Sequence, residues 1–286
     1  MNDPRSISPE ELGRRTRPGV EFGEGESGRR LRCLITNDDG IDSPGLHALA
    51  TVAVQAGFDV VVAAPASNAS GASASITALT DGARIVIKSH RLPGLEDGSV
   101  YGVEASPAFI ALTATRGAFG DPPDLVLSGI NHGPNTGQAI LHSGTVGAAL
   151  TAAAQGITAM AVSLGIGAGE QQWDTAAQYA ADMLPGLVRL PAGTAVNLNV
   201  PNVEAAAVRG LRRAPLAGFG AVQTHIGERD AGYFTVQVSE IDASGEPDSD
   251  AAMLADGWAT LTALHPVCAD CDADLDLLLH ADALAR

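Results

Sequence analysis

Short apolar runs alternate with stretches of helical period along most of the chain, and that alternation predicts the fold. Residues 31–36 (LRCLIT) read as a buried strand, and 59–64 (DVVVAA) as a second, stopped by Pro65. Between them Ser43-Pro44 opens a helix with proline at its first position, and Gly57 ends it. A β–α–β unit this tight calls for a parallel pair with a right-handed crossover. The pattern repeats. Strands are expected at 84–88, 100–103, 124–127, 159–164 and 195–200, and helices at 107–119, 145–155 and 171–188. Continuous apolar strands separated by helices imply an α/β fold, a Rossmann-like, mostly parallel sheet with helices on both faces.

After about residue 202 the character changes. Residues 221–226 and 233–238, split by Gly227-Glu228-Arg229-Asp230, read as a hairpin arm spanning about 219–240. A short helix at 248–255, a strand at 258–264 and a terminal helix at 275–284 follow. Residues 1–30 mix Arg14, Arg15 and Arg17 with Glu10, Glu11 and Glu21 and have little to bury, so they read as a flexible extension. The expected organisation is therefore 1–30 extension, 31–265 α/β domain and 266–286 tail.

Composition narrows the function. The chain has 286 residues, 45% hydrophobic and 17% charged, enough for a sizeable core. Its 17 Lys and Arg against 33 Asp and Glu give a net charge of −16. Such a surface repels nucleic-acid polymers and anionic membranes. A phosphate-bearing substrate would have to find positive charge in a metal ion or in backbone N–H groups. Three cysteines make no disulfide framework. Cys33 reads as core, and Cys268 and Cys271 form one C-x-x-C with no second pair, read as incidental thiols. No run is apolar and long enough to span a bilayer, and no signal sequence opens the chain, so a cytoplasmic location is expected.

Three strand ends carry polar loops where an open parallel sheet binds ligands. Asn37-Asp38-Asp39-Gly40 places two carboxylates side by side. They repel unless a cation or proton intervenes, and a hard divalent ion such as Mg²⁺ suits them. A solvated turn with an Asp helix cap explains the same residues. Residues 65–75 (PASNASGASAS) offer Ser70, although such clusters are also ordinary loops. The third loop runs from Ser128 through Asn131, His132 and Asn135 to His142-Ser143-Gly144-Thr145, about 17 residues between strand and helix, a length usually functional or disordered. The helix start at Thr145, with the Ser143 and Thr145 hydroxyls, makes an anion pocket without lysine. A cation site beside an anion site suits metal-assisted phosphoester hydrolysis.

These segments resemble the SurE survival-protein nucleotidases: TNDDGIDSPGLHAL (36–49), VVAAPASNASGAS (61–73), LVLSGINHGPNTG (125–137), HSGTVGAA (142–149), AMAVSLG (159–165) and LNVP (198–201). The resemblance covers roughly residues 31–265. It implies a metal-dependent phosphatase of nucleoside 5′- and 3′-monophosphates, of the 5′-nucleotidase or acid-phosphatase type. It carries over Asp38, Asp39, Ser70 and Asn131 as ligands of one divalent ion, Mg²⁺ or Mn²⁺. Asn135, Ser143, Gly144 and Thr145 become phosphate contacts. It also implies a homodimer or homotetramer built through the C-terminal arm. The chain departs from the family pattern at Ala108, Gln138-Ala139, His142 and Thr151, which bears on substrate preference and leaves open a homologue that binds nucleotide or phosphate without turnover.

His132 and His142 flank the expected pocket. Either can protonate a leaving alcohol, or simply line the loop. Asp38 or Asp39 can act as base toward a water. A dinucleotide oxidoreductase would need G-x-G-x-x-G after the first strand, where the Asp pair stands. A haloacid-dehalogenase-type phosphatase would need Asp-x-Asp, which the adjacent pair does not supply.

Overall fold

The apolar runs become the strands of one sheet. The computed structural model describes residues 6–7, 29–78, 80–81, 84–95, 99–167, 169–218, 222–230, 233–240 and 246–267. Its strands are β1 (Ser6–Ile7), β2 (Arg32–Thr36), β3 (Asp59–Pro65), β4 (Thr80–Asp81), β5 (Arg84–Ile85), β6 (Ile87–Ser89), β7 (Val100–Val103), β8 (Leu125–His132), β9 (Thr158–Leu164), β10 (Ala195–Val200), β11 (Leu211–Arg213), β12 (Val222–Asp230), β13 (Tyr233–Glu240) and β14 (Ala259–Leu264). The helices are α1 (Pro44–Gln55), α2 (Pro107–Ala114), α3 (Gly144–Ala154), α4 (Trp173–Leu187) and α5 (Asp250–Ala255). The main sheet runs β1-β11-β14-β10-β9-β8-β2-β3-β7-β6. The stretch from β10 to β7 is parallel, and β14 and β6 add antiparallel strands outside it.

Each face of the sheet has its own helices. Cys33 and Ile35 of β2, Met160 and Val162 of β9, and Val196 and Leu198 of β10 pack with α1 and α4. Leu34, Val126, Ala159 and Ala161 pack on the other side with Ile110 of α2 and Val146 and Ala149 of α3. This is the period-two alternation of a strand covered on both faces.

Several boundaries differ from the sequence reading. The strand expected at 124–127 continues to His132, shifting register against β9 between Ser128 and Asn131. The long loop is therefore shorter than expected, and a 3₁₀ turn, Gly137–His142, fills part of it. The run 84–88 breaks into β5 and β6, and β6 pairs antiparallel with β7. Helix α2 stops at Ala114 rather than Phe119, because the chain turns at Gly117 (φ +84°) and Ala118 N–H returns to the Thr113 carbonyl at 3.1 Å. Strand β11 had no sequence signal, being only three residues long.

The hairpin β12–β13 pairs antiparallel as a separate two-stranded sheet. Cys268, Cys271 and the expected terminal helix lie outside the described residues, as does most of the leading 30. Within that leading segment, Ser6–Ile7 pair with β11, and Arg29 forms an ion pair with Asp124 at 2.7 Å. Among the described residues no helix is long and apolar enough to cross a membrane.

The topology fixes where ligands belong. The chain leaves β2 for β3 on one side and later returns to β8 on the other. The crevice beyond the carboxyl ends of β2 and β8 is the switch point of the sheet.

Candidate active site

The turn after β2 is shaped by Asn37, which is fully buried. Its side-chain amide donates to the Gly40 carbonyl at 3.0 Å, and its Oδ1 accepts the Gly40 N–H at 3.1 Å. Gly40 sits at φ +103°, a conformation that glycine adopts without steric cost. The Ala69 N–H donates to the Asp38 carbonyl at 2.6 Å, so this turn also anchors the loop that carries Ser70.

The two adjacent carboxylates point to different partners around one strand edge. Asp38 is 3% exposed and turns toward the start of α3. Its Oδ2 accepts the Thr145 N–H at 3.1 Å, and its Oδ1 accepts the Thr145 hydroxyl. Burial pushes the Asp38 carboxyl up, the Thr145 hydroxyl pulls it back, and the charge of Asp39 pushes it up again; it ends above the usual carboxylate range. Asp39 is half-buried, and its Oδ2 accepts the His132 N–H at 2.9 Å. Asn131 stands near the end of β8, next to His132, whose N–H Asp39 accepts. Its Oδ1 sits 3.4 Å from the Thr145 hydroxyl, and its amide donates to the Gly133 carbonyl at 2.7 Å.

The structure thus brings Asp38, Asp39, Asn131 and Thr145 together. Ser70 is exposed on the neighbouring loop, its N–H held by Asn68 Oδ1 at 2.8 Å. Gly144 is packed so tightly that a Cβ there would lie 2.8 Å from the Cβ of Asp38. Ser143 caps α3 by accepting the Val146 N–H at 3.0 Å. The amides of Thr145 and Val146 therefore already have partners, and the anion at this helix start is the Asp38 carboxylate itself.

Both histidines are exposed. The His132 ring lies 6.0 Å from that of Trp173, and His142 ends the 3₁₀ turn. Thr151 bonds back to the Gly147 carbonyl at 2.7 Å, Ala108 is fully buried at the start of α2, and Ala139 is exposed.

Asn135 belongs to a polar cluster that sequence reasoning missed. Its N–H donates to Asn199 Oδ1 at 2.8 Å, and its carbonyl accepts from Asn197 at 2.8 Å and from Asn199 at 2.9 Å. Its side-chain amide donates to the Ser163 hydroxyl at 2.8 Å. Asn197, Asn199 and Ser163 are all fully buried. Two asparagines at alternate positions of AVNLNV were the visible signal, since a buried strand has no other use for them. Asp250 was also missed. It is buried at the start of α5, and it accepts the Gly137 N–H at 3.0 Å and the Ala217 N–H at 2.9 Å.

Chemically, the assembled donors are hard. Among the described residues no group of three or more His, Cys, Asp and Glu is placed to hold a metal ion. An ion here would draw on two carboxylates, the Asn131 amide oxygen and the Ser70 hydroxyl, an all-oxygen set that suits Mg²⁺ or Mn²⁺. Adjacent acids, one of them raised by burial and by its neighbour, are what a divalent cation relieves. A hollow of about 330 Å³ adjoins the Ser70 loop, lined by Asn68, Ala69, Ala72, Val103 and Ser106. A larger one, about 880 Å³, lies far from this chemistry, at the opposite end of the sheet around Arg29, Arg32 and Asp124.

Comparison with known proteins is consistent over most of the chain. The family described as survival protein SurE matches residues 33–221. A 5′/3′-nucleotidase SurE from Proteus mirabilis is 36% identical over 241 residues, covering 82% of this chain and 90% of that protein. A 5′-nucleotidase SurE from Desulfitobacterium hafniense is 34% identical over 238 residues, covering 82% of this chain and 91% of that protein. The crystal structure of the SurE protein from Aquifex aeolicus superposes with a TM-score of 0.71 at 27% identity, over 89% of this chain and all of that one.

Proposed function

This chain belongs to the SurE survival-protein family, and on that premise we propose that it hydrolyses nucleoside 5′- and 3′-monophosphates to nucleoside and phosphate, using one divalent ion, Mg²⁺ or Mn²⁺. The observation that carries the reading is the meeting of Asp38, Asp39 and Asn131 with the start of α3 at the switch point of the sheet.

Asp38, Asp39, Asn131 and Ser70 would hold the ion. When bound, it polarises a phosphoryl oxygen and makes a water more acidic. Asp38 or Asp39 takes the proton of the attacking water. Asn135, Ser143, Gly144 and Thr145 form the phosphate side; the asparagines of β10 hold Asn135, and Asp38 holds Thr145. The Ser143 hydroxyl, which accepts from Val146, keeps its own O–H to donate, and a donor held in place stabilises developing charge without reorganising. The leaving alcohol receives its proton from His132 or His142, both exposed at the rim. The hollow beside the Ser70 loop, at the small end of the usual range for ligand pockets, takes the nucleoside. The hairpin and the C-terminal segment serve as the assembly arm of a homodimer or homotetramer, checked by light scattering with the hairpin intact and deleted. The buried free Cys33 thiol agrees with a reducing cytoplasm.

The test is phosphate release from a panel of nucleoside 5′- and 3′-monophosphates and simple phosphomonoesters, with Mg²⁺, Mn²⁺ or chelator. Turnover is expected on nucleotides with metal only, and Asp38→Asn or Asp39→Asn is expected to abolish it. Full turnover in either variant, or in chelator, would overturn the reading. Calorimetric binding of nucleotide with no release across the panel would replace it with a non-catalytic homologue.

A further inference from the structure

We propose that Asp250 is a positioning residue for the phosphate side of the site, acting through the 3₁₀ turn that begins at Gly137. The inference rests on the phosphatase reading above. Asp250 is fully buried, and its carboxylate gathers backbone N–H groups from two distant places in the chain and from its own neighbour, Ala251. The Gly137 N–H is shared by Oδ2 at 3.0 Å and Oδ1 at 3.2 Å, while Oδ1 also accepts from Ala217 at 2.9 Å and from Ala251 at 2.8 Å. The Asp250 N–H in turn donates to the Pro215 carbonyl at 2.9 Å.

These partners have different duties. Gly137 starts the turn that delivers Ser143, Gly144 and Thr145 to Asp38. Pro215 and Ala217 lead toward the hairpin β12–β13, and the returning chain is tied to the same root by Glu246, which accepts the Gly218 N–H at 2.7 Å. One buried carboxylate thus joins the turn ahead of the phosphate groups to the root of the hairpin. Three amides converging on a charged acceptor inside the protein form strong, oriented bonds, and removing the acceptor leaves buried donors unpaired. A site loop held this way keeps its geometry within the tolerance that catalysis needs.

Asp250→Asn separates the two duties. Its one amide oxygen satisfies Ala217 and Ala251 together and keeps only the longer contact to Gly137, whose nearer acceptor becomes an NH₂. Glu246→Gln is the companion variant, because Glu246 holds the hairpin root without touching the site loop. With saturating metal and a nucleoside monophosphate, Asp250→Asn is expected to lower kcat/KM about tenfold or more. Amide exchange in residues 136–145 should rise while exchange in β9 and β10 stays slow. Glu246→Gln should stay within twofold of the parent. Asp250→Asn within twofold of the parent, or an equal loss in Glu246→Gln, would overturn the proposal. A measurement on the unaltered protein guards against misfolding of the variant. The Gly137 N–H should exchange as slowly as the core strands, and exchange at open-loop rates would overturn the proposal. Exchange needs no substrate, so a protein inactive on every phosphoester would sink the phosphatase reading and still leave this inference tested.

Discussion

The two faces of the sheet follow different rules. Toward α1 and α4 the strands stay apolar almost to their ends, with Ile130 in β8, Leu164 in β9 and Val200 in β10, and only His132 beside Trp173 at the tip of β8 is polar. Toward α2 and α3 they begin apolar, with Leu34, Val126 and Ala159. They then turn polar at their carboxyl ends, with Thr36, Ser128, Ser163, Asn197 and Asn199, all fully buried. Thr36 and Ser128 are register partners on adjacent strands, and Asn197 lies opposite Thr262 of β14. One face is built for burial, where the stabilising effect is roughly proportional to apolar area. The other spends part of its area on groups that hold Asn135 and underlie Asp38, so stability and site geometry are carried by opposite sides of the same strands.

That contrast can be broken by swapping the roles of neighbours in β10. Leu198→Ala on the apolar face should cost about 2–5 kcal/mol of unfolding free energy, read by chemical denaturation, and leave turnover per folded molecule unchanged. Asn199→Leu, one residue along on the other face, should cost about 1–3 kcal/mol, because the N–H and carbonyl of Asn135 lose partners. It should also lower kcat/KM about a hundredfold through misplacement of the site loop. If both variants lost only stability, the division of labour would be wrong. Gly144→Ala sharpens the comparison at the Asp38 contact. The added methyl must displace Asp38 or the helix start, costing about 1–3 kcal/mol, and turnover should fall by more than the folded fraction does.

The smallest effect lies at the opposite end of the sheet. Partial burial pushes Asp124 up, but the Arg29 hydrogen bond, the Arg32 N–H and the Arg29 charge together outweigh it, so its pKa sits below the usual range. A depressed carboxyl contributes stability above the unfolded-state pKa, about 4, and loses it as pH falls through the folded value. Asp124→Asn should therefore cost under about 1 kcal/mol near pH 7 for this half-exposed pair. The difference from the parent should shrink in acid denaturation series as pH falls from the unfolded-state value through the depressed folded one.

Much of this was readable in one dimension. The strand runs, the proline-led starts of α1 and α2, and the Asp pair at a strand end all follow from local pattern, because strand and helix periods act over a few residues. The polar positions of AVNLNV were equally visible, but their meaning was not. Asn199 bonds Asn135, 64 residues away, and only the alignment of β8, β9 and β10 in the sheet brings them together. Asp250 was hidden more deeply. As the first residue of a short helix it resembles any capping acid, yet its Gly137 partner is 113 residues distant. The extent of β8 was misjudged for a related reason. Ser128-Gly129-Ile130-Asn131 has the composition of a loop, and only pairing with β9 extends it as a strand.

By itself, the order of apolar and polar residues determined the layered α/β architecture, the order of its elements and the strand ends at which chemistry had to lie, since burial acts on local pattern. The tertiary structure decided which of those ends meet, which carboxylate turns toward α3, and which buried amides lock the site loop. Those outcomes depend on hydrogen bonds between residues far apart in the chain, whose partners do not exist until the sheet has closed the distance between them.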